Sequence, residues 1–178
     1  EKILYEIIRN CKFYNKEIIC LKSKGYYSKL LENEGVKINY CNLNKNLFDF
    51  LKILKLYKLI LKKRPKIIHS FLYHSLTIAS IFSKLSFTNK ILWSVHSDYV
   101  KSNNTYLRNL QVKFLALISN LIPSKIIYCS QESLKNHEKI GFCKSKNIFI
   151  NNGVCTNKFY PRKKSYFKIR KLLRLEND

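Results

Sequence analysis

Ile148-Phe149-Ile150-Asn151-Asn152-Gly153-Val154-Cys155-Thr156-Asn157-Lys158-Phe159-Tyr160-Pro161 is the stretch that decides the fold. A short apolar run is stopped by two asparagines and a glycine. A polar segment follows, closed by an aromatic pair and a proline. This reads as a buried strand delivering a tight turn, with Gly153 supplying a backbone conformation that other residues resist. Two earlier tracts have the same form, Lys66-Ile67-Ile68-His69-Ser70 and Lys125-Ile126-Ile127-Tyr128-Cys129-Ser130. Each runs from basic to apolar to small or polar. Open parallel sheets put their chemistry where strands end in this way.

Working outward, strand and helix patterns alternate along the chain. Helical spacing covers Lys2 to Phe13, with Ile3, Leu4, Ile7 and Ile8 on one side, then Tyr26 to Asn33 with Gly35 as its stop. Further helices are predicted over Leu47 to Lys63, His74 to Leu85, a segment capped by Asn103-Asn104-Thr105 and running to about Leu121, Ser130 to Ile140, and Ser165 to Leu175. Strands are predicted at Glu17–Leu21, Val36–Tyr40, Lys66–Phe71, Ile91–Val95, Lys125–Cys129 and Asn147–Ile150. Pro65 and Pro123 separate helix from strand. The order implies an α/β fold, a doubly wound parallel sheet with helices on both faces.

The chain has 178 residues and 46% hydrophobic content, suited to one domain with a sizeable core. It contains no Met and begins at Glu1, so a fragment or processed piece is expected. The formal charge of +23 invites a nucleic-acid reading. Lysine far outnumbers arginine, however, and is scattered along the chain, whereas arginine is the better reader of phosphates and bases. Most of the charge reads as solvated surface, with a smaller part available to an anionic membrane or a phosphate-bearing substrate. On Leu47 to Lys63 the face with Lys52, Lys55, Lys58 and Lys62 is either solvated or interfacial. The six cysteines form no C-x-x-C pair, and the apolar neighbours of Cys20 and Cys129 suggest buried thiols in a reducing compartment. No signal peptide or membrane-spanning run is evident.

His96 follows a predicted strand directly and would project into the crevice, where it could polarise a substrate or stabilise its charge. Ser97 stands beside it, and Asp98 is close enough in sequence to orient it. A loop histidine with a local hydrogen bond is the alternative. His69 reads as a satisfied core residue, while Tyr73 and His74 are placed to line a cleft. The spacing of His69 and His74 matches no metal-ligand pattern. His137 reads as a surface helix residue. Ser130 to Glu132 opens a helix after a strand, a place for an anion or for simple capping. Turn chemistry alone accounts for Asn152 and Gly153 unless another domain places a substrate beside them. With only four glycines, no glycine-rich phosphate loop exists. If the chain is enzymatic, part of its machinery lies elsewhere.

Residues 67–74, 92–97, 121–133 and 150–161, in that order, together resemble the amino-terminal half of family 4 glycosyltransferases of the GT-B fold. Residues 167–175 resemble the helix leading into that family's second domain. The resemblance implies a Rossmann-like domain over 1–161, one half of a GT-B architecture, and a linker helix over 162–178. Both ends are expected to be truncated, with the first strand and its glycine turn preceding Glu1 and the donor-binding domain following Asp178. Cys155 departs from the family's usual Asp. By resemblance His96 is the cleft histidine that contacts the transferred sugar or its phosphate, Tyr73 and His74 lie on the acceptor-side loop, and Asn152 and Gly153 form the turn before the interdomain linker.

The function so implied is hexosyl transfer from a nucleotide-sugar donor to a glycan or lipid-linked acceptor, in bacterial surface polysaccharide or lipopolysaccharide synthesis. No cofactor beyond the nucleotide-sugar co-substrate, no metal and no specific nucleic acid are expected. A cytoplasmic location is expected, with peripheral contact to an anionic inner membrane surface left open. The competing reading is a non-enzymatic basic module that binds nucleic acid or anionic membrane. A decayed, inactive gene product is a third.

Overall fold

The computed structural model describes all residues except 13, 14, 45–48, 87, 89, 98–104, 158, 161, 162 and 174–178, and leaves the side chains of 163–165 and 171 undescribed. Its elements run α1 (Lys2–Asn10), β1 (Glu17–Cys20), α2 (Tyr26–Asn33), β2 (Lys37–Tyr40), α3 (Asp49–Lys63), β3 (Ile67–Phe71), α4 (Tyr73–Leu85), β4 (Lys90–Val95), α5 (Tyr106–Ser119), β5 (Lys125–Tyr128), α6 (Gln131–Ile140), β6 (Asn147–Phe149) and α7 (Lys163–Leu172). The order matches the sequence reading, with most ends shifted by a residue or two. The expected helix start at Leu47, the cap residues Asn103 and Asn104, and Asp98 lie outside the described residues.

All strand pairs are parallel, and they form two ladders, β1-β2 and β3-β4-β5-β6, instead of one continuous sheet. The register aligns Phe71 with Ser94, Val95 with Tyr128, and Tyr128 with Phe149. The four-stranded ladder keeps its chain order. Right-handed crossovers therefore put α4, α5 and α6 on one face of it. Helix α3 ties the ladders together. Its Leu56 and Ile60 pack with Ile68 of β3, Phe82 of α4, and Leu21 and Cys41 at the ends of β1 and β2. Helices α1 and α2 make a separate pair, held by Tyr5 Oη on Glu34 and Tyr5 against Tyr27.

The main core lies between the four-stranded ladder and α4–α6. Trp93, Val95, Ile126 and Tyr128 from the strands meet Leu76, Val112 and Leu115 from the helices. β4 turns Ile91, Trp93 and Val95 into this core, while Leu92 on its other face is half-buried.

Three sequence expectations are corrected here. Tyr73 is 6% exposed and His137 is fully buried, each inside this core. Tyr73 is not on a loop, because α4 begins at Tyr73 itself, straight after Leu72 with its φ of 69°. That leaves no connecting loop for Tyr73 to occupy, and its ring turns inward with its hydroxyl 2.7 Å from His137 Nε2. His137 is inside because Ser133 and His137, four apart, both face the ladder, and His137 Nδ1 lies 2.6 Å from the Ser133 carbonyl. The third correction concerns Gly153. Among the described glycines only Gly35 and Gly141 have positive φ, and a Cβ on Gly153 would meet nothing within 4 Å. Neither strain nor crowding demands glycine there. Gly141 is the true left-handed position, closing α6.

The Tyr73–His137 contact carries a prediction. Tyr73→Phe leaves His137 Nε2 buried without its hydroxyl partner, which costs about 1–3 kcal/mol. Urea unfolding should show a lowered midpoint with an unchanged slope. A midpoint equal to wild type would mean that the contact contributes nothing.

The cysteines are unpaired, and Cys20 and Cys129 are half-buried, more open than their neighbours suggested. Among the described residues no helix is long and apolar enough to cross a membrane.

Candidate active site

The carboxyl ends of β3, β4 and β5 bring together a small set of rings and polar groups. Val95 is paired with Tyr128 in the ladder, so the next residues, His96 and Cys129, emerge side by side. Cys129 Sγ lies 3.8 Å from the Val95 carbonyl. Ser97 is held in place by α6, since Ser133 Oγ donates to its carbonyl at 3.2 Å. On the other side Leu72 N donates to the Ser94 carbonyl at 3.4 Å, which ties the end of β3 to β4.

His96 stacks on Phe71, with ring centroids 5.6 Å apart and planes 12° apart. Phe71 also touches His69 at 4.3 Å between centroids, and His69 Nε2 lies 2.7 Å from Ser94 Oγ. The ring of His96 is therefore fixed by stacking. Its Nδ1 is buried and meets no hydrogen-bond partner among the described residues.

Both imidazoles are kept neutral. Burial pushes His69 down to about 4, and the nearby His96 adds to the effect. Burial also lowers His96 from the ordinary value. At neutral pH the site offers uncharged rings able to donate or accept one hydrogen bond each, not a fixed positive charge.

The remaining expected residues are less closely gathered. Ser130 is the N-cap of α6, and its side chain accepts from Ser133 N at 3.0 Å, so capping engages it. Ser130→Ala is expected to cost about 1 kcal/mol. A thermal melt that does not move would contradict that role. Glu132 is exposed in the first turn of α6, where a negative charge favours the helix. His74 is exposed on α4, and its Nδ1 lies 3.2 Å from Gln111 Nε2 of α5, in the helix layer. Asn152 and Gly153 are exposed after β6. Among the described residues no three His, Cys, Asp or Glu gather as a metal site. A cavity lined by Leu61, Arg64, Pro65, Ser86 and Thr88 lies at the amino ends of β3 and β4, the wrong ends of the strands for this chemistry.

The arrangement of parallel strands alternating with helices agrees with the family comparison. The model of the family described as Glycosyltransferase Family 4 matches residues 17–158. The chain belongs to glycosyltransferase family 4. Its fold is that of half a GT-B enzyme. Crystal structures of Anabaena Alr3699/HepE match it with 17% identity, at TM-scores of 0.74 in complex with UDP, 0.72 with UDP-glucose and 0.73 with UDP and glucose. The match with the UDP complex covers 99% of this chain and 47% of HepE, so this family 4 chain spans about half the length of the structures it resembles. No curated protein matches it.

Phe71 and Ser133, which hold His96 and Ser97, were not singled out in the sequence. Each lies outside the polar strand end that drew attention. Parallel register is the signal that could have found Phe71. Aligning Lys66–Phe71 with Ile91–Val95 puts the end of β3 beside the end of β4.

Proposed function

We propose that this chain is the acceptor-side half of a glycosyltransferase that moves a hexosyl group from a nucleotide sugar to a glycan or lipid-linked acceptor, in bacterial surface polysaccharide synthesis. The observation that carries the reading is His96, a neutral ring stacked on Phe71 at the carboxyl end of β4, beside the ends of β3 and β5. Family membership supplies the reaction class. Because HepE was solved with UDP and UDP-glucose, a UDP-sugar is the donor proposed for this protein.

In the reaction the bond from the anomeric carbon to the diphosphate breaks, and one from that carbon to an acceptor oxygen forms. The acceptor hydroxyl loses its proton, and charge grows on the departing diphosphate. A positioned donor in a site of low water content lowers the barrier for such a step. His96 is placed to donate to the sugar or its phosphate. Ser97, the opening turn of α6 with Ser130 and Glu132, and the Asn152-Gly153 turn supply polar surface around it. Peripheral contact with an anionic membrane surface would bring a lipid-linked acceptor to this edge.

The full-length protein, incubated with UDP-hexoses and a membrane glycolipid extract, is expected to release UDP faster when the extract is present. No acceptor-dependent UDP release from any donor would overturn the reading. The 178 residues alone are expected to transfer little or no sugar, and robust turnover by them would overturn the two-domain part of it.

A further inference from the structure

Helix α5 has two apolar faces. Val112, Leu115, Ala116 and Ser119 are buried against the ladder. Leu107, Leu110, Phe114 and Leu117 point the other way, spaced three and four apart, with Leu117 75% exposed, and Leu121 in the turn that follows is 74% exposed. At about 100° of rotation per residue the helical side chains among these, with Tyr106, fill one continuous arc of roughly 100°. A surface helix normally turns such an arc towards the core, and α5 already has a different arc buried there.

The stripe does not stand alone. Gln111 of α5 bonds Thr77 Oγ1 of α4 at 3.0 Å, so the two helices lie side by side. Ile81 and Leu85, one and two turns beyond Thr77 on the same face, are exposed next to the stripe. Helix α3 continues the layer. Tyr57 packs on Phe82 of α4 at 5.3 Å between ring centroids, and Phe50 and Leu54 of α3 are exposed. The charged groups on this surface are basic, with Lys58, Lys84 and Lys113 all exposed. From Phe50 to Gln131 the sequence has one acidic residue, Asp98.

We propose that the outer face of the α3–α4–α5 layer, centred on the α5 stripe, docks the protein on an anionic lipid bilayer. The apolar arc enters the boundary between headgroups and acyl chains, and the surrounding lysines bind acidic headgroups. Charge selects this occupant over a second copy of the chain. Two copies meeting through this basic face, with Lys58, Lys84 and Lys113 exposed on each, repel, whereas an anionic surface attracts. The inference deepens the peripheral-membrane part of the proposed function and rests on that part alone. Its test reads lipid binding and not sugar transfer, so one can fail without the other.

The test is co-sedimentation of the full-length protein with phosphatidylcholine vesicles, with and without phosphatidylglycerol. Wild type should bind the phosphatidylglycerol vesicles and not the neutral ones. Leu110→Glu/Leu117→Glu should weaken binding at least about tenfold, a loss of about 1.4 kcal/mol. The charge-matched pair Tyr26→Glu/Phe167→Glu, on exposed rings of α2 and α7, should weaken it by less than about threefold through charge alone. Leu117→Trp tests insertion directly. Trp93 is already buried, so a blue shift on adding vesicles in excess of any shown by wild type would come from position 117. Equal weakening by both pairs, no binding by wild type, or no shift from Leu117→Trp would overturn the proposal. So would a wild-type dimer that Leu110→Glu/Leu117→Glu converts to monomer, since a second copy would then be the occupant.

Discussion

Replacing His96 by Ala in the full-length protein is expected to lower kcat by about 10²-fold, the usual cost of removing one positioned donor from a site of developing charge. KM for the nucleotide sugar should change far less, because the bond matters most when the diphosphate departs. The geometry makes His96 more than a nearby polar residue. Its ring is stacked on Phe71, and its Nδ1 is buried without a partner among the described residues. His96→Gln keeps an amide N–H in reach and should recover part of the loss. His74→Ala is the contrast, since His74 is engaged by Gln111 in the helix layer and should leave kcat within about twofold. The pH profile gives a second check. Burial lowers His96 from the ordinary 6.5, so the ring is neutral above that value and takes a proton only below it. kcat should therefore stay level from pH 8 to 6.5 and fall on further acidification if the neutral ring is the working form. A loss of activity with a midpoint above pH 7 would contradict the neutral assignment, and an unchanged kcat in His96→Ala would remove His96 from the chemistry.

The strand ends were legible because the strands here are short and rich in apolar residues and are bracketed by lysine, proline or asparagine. Leu92-Trp93-Ser94-Val95 could be read as a strand and His96 as its exit without knowing any neighbour. What surrounds His96 could not be read that way. Phe71 reaches it through register, and Ser133 fixes Ser97 from a helix that starts some thirty residues later in the chain. Tyr73 and His137 were misplaced for a related reason. A tyrosine after a strand and a histidine within a polar helix look exposed one at a time, and each is buried because it satisfies the other's polar atom. Helix α5 shows a different limit. With apolar residues on two arcs, spacing gives the helix but not which arc meets the ladder. Only the packed structure shows that Leu115 is inside and Leu117 outside.

Acidification is expected to weaken the fold through His69, by an amount set by the same burial that keeps the site neutral. His69 is held at about 4 in the folded protein, against 6.5 for an exposed histidine. Between those values the unfolded chain binds a proton that the folded chain refuses, so stability rises with pH across the window. The contribution is fully present above pH 6.5 and is lost progressively as pH falls towards 4. The difference of about 2.5 pKa units corresponds to about 3 kcal/mol, and a partly open ring should deliver about 2–3 of it. His69→Gln isolates the effect, because glutamine can still bond Ser94 Oγ but cannot take a proton. Urea unfolding at pH 7.5 and pH 4.5 should show wild type losing about 2–3 kcal/mol more than His69→Gln over that interval. The same loss in both proteins would mean that His69 protonates without penalty and that the ring is open to water. A larger loss in the variant would reverse the sign of the linkage and place a positive charge at the end of β3, where His96 faces it across Phe71.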